Sequence, residues 1–166
     1  SQRCSEENGK LKLLTQTTLP WLVAWGSTSI GRKQHPLCVT AALQFAFILI
    51  TRTKSFENLS AISNDGNGGG TVQALHRWAL RAIREATPNS GGDDYSKGAL
   101  RGAGLKLLLA VATIGQTSSD ADSAPVCFSA RELGEILGIF EEVSKNDPDP
   151  KMRALSRHIL GSVMQK

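Results

Sequence analysis

Apolar residues recur along this chain at spacings of three, four and seven, which place side chains on one face of a helix; period-two runs of β-branched and aromatic residues are absent. Ser129 to Lys166 is the clearest stretch. Ser129 and Glu132 form a capping box, hydroxyl and carboxylate satisfying backbone N–H groups at a helix start. Leu133, Ile136, Leu137, Phe140 and Val143 then share one face. Asn146-Asp147-Pro148-Asp149-Pro150 stops that helix and starts another, because each proline disfavours the helical conformation before it. Asp149 suits the cap and Pro150 the first helical position, where its missing N–H costs nothing. Met152, Leu155, Ile159, Leu160 and Val163 repeat the apolar face. With so short a link the two helices must lie antiparallel, apolar face to apolar face.

The rest of the chain reads the same way. Residues 1–10 are polar and predict a frayed tail. Lys12 to Trp25 predicts either two short helices broken at Pro20 or one kinked helix. Gly26 to Gln34 is a connector. Pro36 opens a nearly all-apolar helix to about Arg52, a composition that suits an interior position between neighbours on both sides. A short helix over Ser55 to Ser63 and a glycine-rich loop over Asn64 to Gly70 follow. Thr71 caps a helix to Ala86 with Val72, Leu75, Ala79 and Ile83 inward. Another runs from Tyr95 to Ile114 with Leu100, Ala103, Leu107, Val111 and Ile114 inward, and its Gly98, Gly102 and Gly104 would let a neighbour approach closely. Gly115 to Val126 is a polar linker. Three hairpins starting near Pro36, Thr71 and Ser129 are the simplest pairing. Ala74-Leu75-x-Arg77-x-x-Leu80 recurs as Ala154-Leu155-x-Arg157-x-x-Leu160 and argues for another phase, which stays open.

The Asp147-Pro148-Asp149-Pro150 turn, followed by Lys151-Met152-Arg153 and Ala154-Leu155, resembles a HEAT repeat of the HEAT and armadillo families. In those families an Asp-Pro turn commonly precedes a hydrophobic residue and an arginine on the second helix, places held here by Met152 and Arg153. The resemblance implies an all-α, right-handed α-solenoid of about three helical hairpins plus an N-terminal helix. Residues 11–166 would form a single armadillo-like repeat domain, a segment of a larger solenoid. It also implies a scaffold that binds other macromolecules, without naming them.

Composition narrows this only slightly. The 166 residues, with 40% hydrophobic and 20% charged side chains, suit an ordinary globular chain, and a net charge of +4 is weak support for an acidic partner. Cys4, Cys38 and Cys127 lie far apart and cannot all pair, so reduced, buried or incidental thiols in an intracellular protein, cytoplasmic or nuclear, are expected. The apolar run Leu37 to Ile50 is short of the roughly 20 residues that span a bilayer. The Asn58-Leu59-Ser60 sequon stands without other signs of secretion.

Candidate chemistry is sparse. Arg77, Arg81 and Arg84 fall at i, i+4 and i+7 on the side of their helix away from its core, and Arg153 and Arg157 form a similar pair. On one concave surface they would grip carboxylates or phosphates, although a solvated face is the plainer account. Gly66 to Thr71 runs into a helix start but lacks the ending of a nucleotide-binding loop. His35, His76 and His158 are isolated from metal-ligand spacings, and no nucleophile elbow occurs. Thr117 to Asp122 offers hydroxyls upstream of acids for phosphorylation, against an untouched spacer as the plainer account. The expectation is a non-enzymatic scaffold without cofactor or metal, binding a protein partner through its concave or terminal surface. The alternative is a nucleic-acid or anionic-surface module using the arginines.

Overall fold

The structure, a computed structural model, describes residues 2–53, 71–86, 94–117 and 130–164; among them every regular element is helical. Six long helices and one of a single turn follow in order: α1 (Gln2–Ser27), α2 (Ser29–Arg32), α3 (Pro36–Thr53), α4 (Thr71–Glu85), α5 (Asp94–Thr117), α6 (Ala130–Asn146) and α7 (Pro150–Met164). The all-α expectation holds. The expected helix at Ser55–Ser63, the loops at 64–70 and 87–93, the cap Ser129, and 118–126 of the linker lie outside the described residues.

Helix α1 departs from the expected tail and break. Residues 2–10 are helical, and the helix runs without interruption through Pro20. Proline removes the bond its N–H would give to Gln16, a loss confined to one turn. The hydroxyls of Thr15 and Thr17 turn back onto the carbonyls of Leu11 and Leu13, at 2.8 and 2.9 Å, so neither competes for a donor elsewhere. Thr28 then caps α2 by accepting from the N–H of Gly31 at 3.1 Å.

The helices pack on one another as α1 with α3, α4 with α5 and α6 with α7. α3 lies along α5 as extensively as α4 does, and α1 also touches α4, so the first two pairs form two layers around one core. The α6–α7 pair meets the rest mainly through α5, and more sparsely. The recurrent Ala-Leu-x-Arg-x-x-Leu segments therefore play different parts, since α4 packs on the helix after it and α7 on the helix before it.

The interior helix is α5, not α3. From Ser96 to Leu108 only Lys106 is exposed, and Leu105, Leu107 and Leu108 are fully enclosed. Glycines make this possible. A Cβ on Gly104 would stand 2.8 Å from Ile83 Cγ1 of α4, and one on Gly102 would stand 3.2 Å from Met152 of α7. α3, expected between neighbours, buries Leu43, Ala46, Leu49 and Ile50 but turns Leu37, Phe45 and Ile48 outward. Cys38 shares that outward side, so its free thiol is exposed rather than buried.

The remaining faces follow the apolar stripes. Val72, Leu75, Ala79 and Ile83 are buried on α4, together with Trp78, whose indole occupies the space a side chain on Gly26 would need. On α6 Ile136, Phe140 and Val143 are buried while Leu137 is exposed; on α7 Ile159 is buried and Met152, Leu155 and Leu160 pack half-buried against the core. Asp149 caps α7 as expected, accepting from the N–H of Lys151 at 2.8 Å.

Candidate functional site

A buried arginine organises the junction between the last two pairs. α5 is apolar on nearly every side, yet Arg101 sits within it, 5% exposed. Its Nε and Nη2 donate to the two carboxylate oxygens of Asp147 at 2.8 and 3.0 Å, and Nη1 donates to the carbonyl of Ala86 at 2.8 Å. One guanidinium thus ties the end of α4, the middle of α5 and the α6–α7 turn. The turn is braced further. Asp147 Oδ1 accepts from the N–H of Asp149 at 2.9 Å, and Arg153 Nη1 donates to the carbonyls of Asp147 and Pro148 at 2.6 and 3.2 Å. Planar bidentate pairing fixes orientation as well as distance.

Above this brace lies a cleft of about 640 Å³ between the start of α5 and the α6–α7 turn. Asp94, Tyr95 and Gly98 form one wall; Pro148, Asp149 and Met152 form the other; Arg101 reaches the floor. Tyr95 is 79% exposed, a large aromatic ring left in solvent beside two carboxylates. Because Asp147 already neutralises Arg101, the lining carries net negative charge. The sequence reading gave these residues structural parts and assigned none of them to a site. A lone arginine in the otherwise apolar Leu100-Arg101-Gly102-Ala103 stretch was the signal available for the brace.

Two of the five arginines named from sequence are engaged by backbone carbonyls and three are exposed. Arg81 donates to the carbonyl of Gly26 at 2.6 Å and stands 4.0 Å from Glu85. Arg153 is spent on the α6–α7 turn. Arg77, Arg84 and Arg157 are exposed. Arg84 borders a hollow of about 330 Å³ with Ile139, Glu142 and Asn146 on the opposite side of the Arg101–Asp147 pair from Asp149.

The chain matches no protein-family model, no curated protein and no solved structure.

The geometry therefore stands alone. Among the described residues no three of His, Cys, Asp and Glu gather where a metal ion could be held. His76 is 3% exposed on α4; burial pushes its pKa below 6.5, Glu132 and Glu135 of α6 oppose the shift, and Arg77 adds to it. His35 accepts from the N–H of Leu37 at 3.3 Å, and His158 is exposed on α7. Of the glycine-rich segment only Thr71, at the start of α4, lies among the described residues. No helix among them is long and apolar enough to cross a membrane.

Proposed function

We propose that this chain is a non-catalytic interaction scaffold of HEAT or armadillo type, a segment of a right-handed α-solenoid. It binds a partner protein or peptide in the cleft between the start of α5 and the α6–α7 turn. The cleft is the observation that carries this reading. It has two carboxylates, an exposed tyrosine and a floor whose cation is already paired. Such a lining suits a lysine or arginine side chain of the partner, its aliphatic stem covered by Tyr95 and Met152 and its charge facing Asp94 and Asp149. Three successive helix pairs, each resting on its neighbour, support the solenoid. The free thiol of Cys38 supports a reducing, intracellular setting.

The alternative, polyanion binding through the arginines, has less support, because Arg81 and Arg153 are engaged by backbone carbonyls. Affinity purification followed by mass spectrometry separates the two. The expected result is that an Asp94→Lys, Tyr95→Ala double variant, altered only at exposed positions, loses the partners the wild type recovers while keeping its helical CD signal. Recovery abolished instead by Arg77→Glu, Arg84→Glu and Arg157→Glu, with binding that weakens steeply in salt, would overturn the cleft in favour of the arginines.

A further inference from the structure

Among the described residues, the first helix pair carries a face on which large apolar side chains stand exposed. In α1 the core side is Leu19, Leu22 and Val23, and in α3 it is Leu43, Ala46 and Ile50. On the opposite sides stand Leu13, Leu14 and Trp21 of α1 and Leu37, Phe45 and Ile48 of α3, with Ile30 on the connecting turn. Trp21 is 64% exposed and Ile30 67%. These seven are all but two of the large apolar side chains exposed among the described residues, so they form a concentrated patch rather than a normal scatter.

Within the patch's own stretch of chain, charge has one sign. Between Glu7 and Glu57 the sequence contains no Asp or Glu, but it contains Lys10, Lys12, Arg32, Lys33, Arg52 and Lys54. Lys10 lies on the outward stripe of α1 with Leu14 and Trp21; Arg52 lies on that of α3 with Phe45 and Ile48. At 1.5 Å per residue, Lys10 along α1 and Arg52 along α3 each stand about 25 Å from the turn that joins the two helices. Lys33 is exposed at the turn end, beside Ile30 and Leu37. The apolar stripes are thus bracketed by cations at both ends, and Glu6 and Glu7 lie a further turn out. α6 differs: its exposed charges are of both signs and pair along the helix, as Arg131 with Glu135 and Lys145 with Glu141.

We propose that this face is a docking surface for an anionic lipid membrane, the α1–α3 pair lying flat with its leucines, Trp21 and Phe45 in the headgroup region. Lysine and arginine at the rim meet lipid phosphates and carboxylates, and the tryptophan sits where an apolar ring with one polar N–H is favoured. A second copy of the chain is a poorer occupant. Two such faces together would set cations against cations with no carboxylate between residues 8 and 56 to balance them. This surface is separate from the α5–α7 cleft, so it adds an anchor to the scaffold reading and does not depend on it.

The test is co-sedimentation of the full chain with phosphatidylcholine vesicles, with or without phosphatidylserine, alongside sedimentation velocity without lipid. Binding is expected to require phosphatidylserine, to weaken in salt, and to fall about tenfold or more in a Trp21→Glu, Ile48→Glu variant. A Lys10→Glu, Arg52→Glu variant should lose binding similarly, whereas Arg77→Glu, Arg157→Glu should keep it. All six positions are solvent-facing, and a retained CD spectrum shows that the fold survives. No binding to phosphatidylserine vesicles, full binding by the Trp21→Glu, Ile48→Glu variant, or a concentration-dependent dimer that this variant abolishes would overturn the proposal.

Discussion

Arg101 is a full charge among leucines, and it is tolerated because three of its donors meet acceptors at 2.8 to 3.0 Å. Removing one partner of such a pair strands the other, whereas replacing both with apolar side chains of similar volume is often neutral. Arg101→Ala should therefore lower unfolding free energy by about 3–5 kcal/mol, and an Arg101→Met, Asp147→Leu double variant should recover most of it. Urea titrations of the three proteins check both statements. His76 gives a second test at this scale. Its folded pKa lies below 6.5, so the unfolded chain takes up the proton first. Stability from this residue is full above pH 6.5 and declines as pH falls from there to the lowered folded value. A His76→Gln variant should lose that slope, read as the urea midpoint on either side of pH 6.5. The role of Arg101 was not legible beforehand. The sequence shows an arginine and a histidine on helices, but which carboxylate meets Arg101 depends on how two distant segments stack.

At the scale of elements, the glycines of α5 separate close packing from chance. Gly104 has α4 against it, with Ile83 Cγ1 at 2.8 Å and the Ala79 carbonyl oxygen at 3.2 Å from an added Cβ. Gly98 has only Asp149 Oδ2 at 3.8 Å. Gly104→Ala should cost about 1–3 kcal/mol through overpacking, whereas Gly98→Ala should be neutral or stabilise by up to about 1 kcal/mol through helix propensity. Thermal unfolding of the two variants measures the contrast. The starts of α3, α4 and α7 were readable because Pro36, Thr71 and the Asp149-Pro150 pair act through local backbone geometry. The interior helix was misread for an equally physical reason. The apolar composition of α3 measures how much surface it could bury, while burial of α5 follows from small residues that admit neighbours on all sides. Polarity likewise made residues 1–10 look frayed, although nothing from Gln2 to Leu19 breaks a helix except two tolerable residues, Asn8 and Gly9.

Across the whole molecule the pairs are unequal. α4 and α5 are enclosed, and α6–α7 leans on them through a narrower contact. Hydrogen exchange should therefore be slowest in α4 and α5, and faster in α6 and α7. Arg101→Ala should speed exchange in α6 and α7 before it reaches α4. Uniform protection across the three pairs would contradict that order. The α4–α5 and α6–α7 pairings were legible from helical periodicity and a short turn; the packing of α1 on α3 was not, nor was the uneven coupling, which depends on side chains that meet across about 46 residues of chain, as Arg101 and Asp147 do. The same ion pair has an effect on alignment. If α6–α7 slid one helical turn along α5, about 5.4 Å, leucine would still find leucine, but a guanidinium would be shut away from water with no counter-charge. Oily surfaces alone forgive such a slip, and this single cation does not. The apolar double variant should accordingly stay folded while showing split resonances in an amide NMR spectrum, several stackings where the native chain permits one.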